Sequence, residues 1–172
     1  FDLVYTLPED SYMVKMDIRQ KGMETILPGN TASLDLFWNQ DLRSQEKGRM
    51  FEERNSALYY KFVGSDVDHL SESKDEQETI SLGLKWIGYK NQFFSSALIP
   101  DGKFNGALIR SGMNNDPAYL KNFHTETTVD YNPADNNGPG FRFYLGPNLY
   151  PLLHSYDKGV DDDKALDLDK LV

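Results

Sequence analysis

Thr79-Ile-Ser-Leu-Gly-Leu-Lys-Trp-Ile-Gly-Tyr-Lys-Asn-Gln-Phe-Phe-Ser-Ser-Ala-Leu-Ile-Pro100 is the segment that decides the fold class. Read as an extended chain, it puts Leu82, Leu84 and Trp86 on one face and Gly83, Lys85 and Ile87 on the other. Beyond Gly88 it is apolar on both faces, through Phe93, Phe94, Ala97, Leu98 and Ile99. A strand covered on both sides has that pattern. Glycine inside a strand marks a bulge or a close backbone approach, so a bend is expected near Gly88. Pro100-Asp101-Gly102 closes the segment with turn chemistry. These residues predict the central strand pair of a β-domain.

The flanking sequence extends that reading. Phe1–Leu7 and Tyr12–Arg19 are β-prone and separated by a turn at Pro8-Glu9-Asp10-Ser11, which predicts a hairpin. Leu34, Leu36 and Trp38 line a further apolar face, and Leu58, Tyr60 and Phe62 another. Phe104–Arg110, Phe123–Tyr131 and the Phe141, Phe143, Leu145 alternation add three more strands. Asn39–Asn55 is polar and reads as a long connection, and Gly64–Glu78 as a solvated, acidic loop. Asn132–Gly140, with its prolines, glycines and asparagines, is a loop.

One helix is expected. Leu149, Leu152, Leu153 and Tyr156 follow i, i+3, i+4, i+7; Pro151 is acceptable within a first turn, and Gly159 is a stop. Asp161-Asp162-Asp163 is an exposed acidic run, and Ala165–Leu168 reads as a closing strand. The sum is eight to ten strands at intervals of roughly ten to fifteen residues, a mainly β protein of antiparallel β-sandwich type with a short helix near its C-terminus.

The sequence of 172 residues is enough for one domain with a real core. Its 18 basic and 27 acidic residues give a net charge of −9, which argues against nucleic acid as a partner and against lying flat on anionic lipid. No cysteine is present, so a disulfide framework, a thiolate metal site and a cysteine nucleophile are excluded. No apolar run approaches the ~20 residues that cross a bilayer. The first residue, Phe1, is not an initiator methionine, and the sequence reads as a piece of a longer chain.

Three stretches carry a resemblance. Trp86-Ile87-Gly88 followed by Lys90-Asn91-Gln92-Phe93-Phe94, then Tyr144-Leu145-Gly146-Pro147-Asn148-Leu149-Tyr150, then Leu166-Asp167-Leu168-Asp169 occur in that order. Together they resemble the second part of the periplasmic domain of YidC-type membrane protein insertases, in a Bacteroidetes-like form. The resemblance implies a β-supersandwich, similar to galactose mutarotases, longer on its N-terminal side than this chain and followed by a membrane core. It also implies a bare sheet edge or concave face, a place on the periplasmic face of the inner membrane, and no cofactor. The partners implied are the membrane core of the same protein, accessory subunits of the Sec translocon and nascent membrane proteins.

Two kinds of site residue follow. Trp38, Trp86, Tyr89 and Phe93, with Asn91 and Gln92 beside them, are candidates to line a groove for sugars or unfolded apolar segments, against the plainer account that they fill the core. Leu149, Leu152, Leu153 and Tyr156 are candidates to dock a partner, or to pack the helix on its own sheet. Mutarotase-like relatives use a histidine and a glutamate, and His124 and Glu126 share a strand face; the plainer account is a polar pair on a solvent face. Asp66, Asp68 and Asp161–Asp163 do not match a calcium loop, and no phosphate loop or nucleophile elbow is present. The expectation is a non-catalytic domain without metal; a carbohydrate-binding module or degenerate sugar epimerase is the alternative.

Overall fold

A computed structural model describes residues 1–172, and eleven strands carry the architecture. They are β1 (Asp2–Thr6), β2 (Met13–Arg19), β3 (Ser33–Arg43), β4 (Ala57–Phe62), β5 (Val67–His69), β6 (Glu76–Ile80), β7 (Leu84–Lys90), β8 (Phe94–Pro100), β9 (Phe104–Met113), β10 (Tyr119–Asp130) and β11 (Phe141–Pro147). Two short helices, α1 (Arg49–Arg54) and α2 (Tyr150–Ser155), join them, with 3-10 turns at Met23–Thr25 and Leu168–Leu171. All pairings are antiparallel, along the path β1-β2-β11-β8-β7-β9-β10-β3; β4 pairs β7 and β5, and β6 pairs β9. No helix is long and apolar enough to cross a membrane.

The path curls because β7 meets β9 only through Leu84 and Phe104. That single corner separates a wall of β2, β11, β8, β7 and β4 from a wall of β6, β9, β10 and β3. Their facing sides share one core, built from Leu58, Tyr60, Ile87, Tyr89 and Leu98 on one wall and Ile109, Phe123 and Val129 on the other. β10 shows the period-2 rule: Phe123, Thr125, Thr127 and Val129 point inward and are buried, while their neighbours face out. Trp38 stacks on Tyr89 across the gap, with ring centroids 3.9 Å apart. The Tyr89 hydroxyl is 2.8 Å from both the Trp38 carbonyl and Thr125 Oγ1.

A second core lies on the opposite side of the first wall. Ala57, Tyr59, Trp86, Ala97, Ile99 and Tyr144 form its floor, and Leu153, Leu166, Leu168 and Leu171 cover it. Strands β4, β7 and β8 are therefore buried on both faces, as the continuous apolar run from Ala97 to Ile99 predicts.

Several local expectations are corrected. Leu84 and Trp86 do not share a face: Lys61 pairs Trp86 and Phe62 pairs Leu84, so Lys85 is an extra residue that turns Leu84 to the inner core and Trp86 to the outer. The irregularity lies there and not at Gly88. Gly88 instead serves a close approach, since a Cβ on it would sit 3.2 Å from the Trp86 ring. Residues 39–55 are not one long connection; β3 runs on to Arg43, and α1 follows. Buried Glu52 accepts hydrogen bonds from Ser44 Oγ and the amides of Gln45 and Glu46, which fixes that loop.

Gly64–Glu78 holds β5 and the start of β6, whose backbones pair along the flanks while most of their side chains stay in water. β9 extends beyond Arg110 to Met113. Ala165–Leu168 is not a strand; its leucines are buried by a turn crossing the sheet, and the Leu166 and Asp167 amides bond to a side chain rather than to a neighbouring strand.

Candidate functional site

The aromatic candidates do not meet in a groove. Trp86 and Tyr89 are buried on opposite faces of β7, and Trp38 is half-buried against the inner core, stacked on Tyr89. Phe93 sits at the β7–β8 turn, half exposed to solvent. Asn91 shapes that turn: its Oδ1 accepts from the amides of Phe93 at 2.9 Å and Phe94 at 2.7 Å, and its carbonyl accepts from Asn148 Nδ2 at 2.8 Å. Gln92 is half-buried at the same turn.

Of the helical stripe, Leu153 is fully buried in the outer core and Tyr156 packs on it. Leu152 is half-buried, and Leu149 caps the helix from an exposed position. Pro151 falls in the first turn, where its missing N–H costs no intrahelical bond. After α2 the chain passes Gly159, at φ +77°, and returns across the outer face of β7 and β4 as a strap.

Polar contacts fix the strap at defined points. The Trp86 indole N–H donates to the Leu166 carbonyl at 2.6 Å, a fully buried bond. Lys85, the bulged residue, donates to the carbonyls of Asp163 at 2.8 Å and Ala165 at 2.9 Å. Asp157 accepts from the amides of Leu166 at 2.6 Å and Asp167 at 2.7 Å. Buried Lys61 pairs with Asp167, whose φ of +52° turns the chain there. His154 of α2 meets Asp169 at 2.9 Å and ties the helix to the last turn. Burial lowers the pKa of Lys85, and the Lys61 charge adds to that; Asp157, Asp163 and Asp167 oppose it.

Lys61, Lys85, Asp157 and Asp167 were not candidates from the sequence. A lysine at the centre of an otherwise apolar strand, Tyr60-Lys61-Phe62, is the signal that could have marked the first of them. The anchored stretch contains one of the segments on which the resemblance rests, Leu166 to Asp169.

His124 and Glu126 do share the outer face of β10, with Nε2 and Oε1 2.7 Å apart. His124 Nδ1 meets Asn39, Asn122 meets Asp41, and Arg110 donates to Gln77 at 2.5 Å. These groups bond one another in cross-strand rows around one exposed aromatic, Phe37. His69 contacts the Leu70 carbonyl at 2.9 Å. No group of three or more His, Asp or Glu converges as metal ligands do, and every buried side-chain polar atom has a partner. Lys121 illustrates this: fully buried, it donates to the Glu72 carbonyl at 2.7 Å and to that of Ser56, and burial lowers its pKa.

The family model described as YidC periplasmic domain matches residues 1–172. The chain is similar to proteins named membrane protein insertase YidC: 45% identical over 171 residues to that of Parabacteroides distasonis, covering 99% of this chain and 27% of that protein. It is 44% identical over 171 residues to that of Azobacteroides pseudotrichonymphae, covering 99% of this chain and 28% of that protein, and 36% identical over 173 residues to that of Porphyromonas gingivalis, with the same shares. The chain thus spans little more than a quarter of the length of the relatives it matches. A match over the whole chain, together with these identities, shows that it belongs to the YidC periplasmic domain family.

Proposed function

We propose that this chain is the non-catalytic periplasmic domain of an inner-membrane protein insertase, supporting insertion and folding of nascent membrane proteins by holding and orienting the membrane core. The observation that carries the reading is the strap. Its bonds to Trp86, Lys85, Lys61 and Asp157 fix residues 163–169 rigidly against two sheet strands. A segment so held transmits the orientation of the sandwich to whatever follows it. Contacts with accessory subunits of the Sec translocon belong to the same reading.

The test uses the full-length insertase carrying Asp157→Ala, which strips the acceptor from two strap amides while leaving both walls intact. Insertion of a model membrane protein should fall several-fold, and the amides of Leu166 and Asp167 should exchange faster. Unchanged insertion with a demonstrably loosened strap would defeat the proposal.

On this reading the 172 residues are the C-terminal portion of a larger periplasmic domain. Leu3 and Tyr5 support that view. They pair with Ile18 and Met16, share the face those residues turn to the core, and are 47% and 59% exposed. Further strands laid along β1 would cover them and satisfy its free edge. The carbohydrate alternative draws only on Phe37, whose polar neighbours are already engaged with one another; specific micromolar binding on a glycan array would revive it.

A further inference from the structure

The end of the sandwich where β7 turns into β8 and β11 runs into α2 displays Phe93, Phe94, Leu149 and Tyr150, each more than half exposed. This display is rigid. Asn148 binds the two connections together: its amide N–H donates to the Phe93 carbonyl at 2.7 Å, its Nδ2 to the Asn91 carbonyl at 2.8 Å, and its Oδ1 accepts from Ser95 Oγ at 2.7 Å. Asn91 Oδ1 holds the amides of Phe93 and Phe94. The polar groups of the turn therefore bond one another, so moving the tip out of bulk water strands few of them.

Charge is distributed in the same sense. Residues 84–100 and 141–156, which carry the tip and the strands running away from it, contain no Asp or Glu, although the chain carries 27 of them; the carboxylates at this end come from other segments, Glu9 and Asp10 in the turn before β2 and Asp169 on His154. Their charged side chains are Lys85, Lys90 and Arg142. Glu72, on a neighbouring loop, is the carboxylate whose field reaches Lys90.

The exposed apolar area is on the order of 400–500 Å², taking about 200 Å² for each whole side chain. That is well short of the roughly 800 Å² per partner of a standard protein interface. A hairpin end is also convex, and a bilayer interface demands no complementary shape. Phenylalanine and leucine with a tyrosine at the rim suit the headgroup level, where one end of the group is apolar and the other wet.

We propose that this tip seats in the headgroup zone of a phospholipid bilayer and sets the height and tilt of the domain above it. The inference goes beyond the support role, since it needs only that the domain stands at a membrane. An acidic body is consistent with it: repulsion from anionic lipid keeps the bulk of the surface away while the apolar tip approaches.

The chain has no cysteine, so single nitroxide labels can be placed at Phe93→Cys, Tyr150→Cys and Gly102→Cys in an otherwise cysteine-free full-length insertase. Gly102 lies at the opposite end of the wall, in open space. In vesicles of phosphatidylethanolamine and phosphatidylglycerol, the labels at 93 and 150 should show an oxygen-to-nickel-chelate accessibility ratio several-fold above that at 102. A ratio at 93 and 150 equal to that at 102 would overturn the proposal. So would labels screened from both reagents, which would mean that a protein surface covers the tip. Neither result depends on insertion activity, so failure here is distinct from failure of the support reading.

Discussion

Replacing Trp86 with phenylalanine tests the outer core and the strap together. The indole is fully buried, and its N–H donates to the Leu166 carbonyl at 2.6 Å. Phenylalanine leaves that buried carbonyl without its donor, at about 1–3 kcal/mol. It also removes roughly 40 Å³ of side chain, worth about 1 kcal/mol at some 24 cal/mol per Å³ if the site does not collapse. The expected loss is therefore about 2–4 kcal/mol, read as a shift in denaturation midpoint at unchanged slope.

The loss should also be local. Amides of the strap should exchange about tenfold faster or more under native conditions, one factor of ten for each 1.4 kcal/mol, while those of β10 change only with global stability. A partner substitution sharpens the test. Gly88→Ala alone places a Cβ 3.2 Å from the Trp86 ring and should destabilise, but in the Trp86→Phe background the obstructing ring atom is gone and the cost should shrink. Additive costs, or a Trp86→Phe loss below about 1 kcal/mol with no change in strap exchange, would refute the reasoning.

Gly106 has φ +91°, and a Cβ there would run into the Ile80 carbonyl oxygen; Gly106→Ala should cost roughly 2–4 kcal/mol by thermal or chemical denaturation, and a neutral result would contradict the backbone described here. At alkaline pH the buried phenols decide stability. Burial raises the pKa values of Tyr60, Tyr89 and Tyr144 above the ordinary 10.0, and for Tyr60 the hydrogen bond to Glu78 adds to that. The unfolded chain therefore loses these protons first, and stability falls as pH climbs past 10. Lys85, Lys90 and Lys121, lowered chiefly by burial, act in the opposite sense, but only below their ordinary 10.5. Above pH 10.5 the tyrosines act together with Lys15, whose pKa the hydrogen bond to Asp17 raises, so denaturant midpoints should drop steadily, and less steeply for Tyr60→Phe; a flat profile would contradict the burial.

Much of this was legible because strand patterning is strong where one face meets the core. Leu34, Leu36 and Trp38, or Phe123 to Val129, can be read directly as inward rows. β5 and β6 were not legible, since they are held by backbone pairing along the flanks and their residues, such as Glu76, Gln77 and Glu78, are mostly polar and show no apolar alternation. The extra residue at Lys85 escaped for a different reason: an unbroken run of β-formers does not say where a register slips, and one slipped residue sends Leu84 and Trp86 to different cores. The strap was hidden most thoroughly. Lys61, Lys85 and Trp86 lie 78 to 106 residues from the strap groups they hold, and lysines and aspartates of that kind read as solvated charge until the fold brings them together.

The strap also has a mechanical meaning. It is attached through side chains and single carbonyls, not through a ladder of paired backbone groups. Tension applied at residue 172 would meet these fasteners one after another: the turn holding Leu171 and Leu168, then Asp169 on His154, then Asp167 on Lys61, then Leu166 on Trp86. Such a joint opens one contact at a time, while the walls behind it, loaded through whole strands, keep their shape.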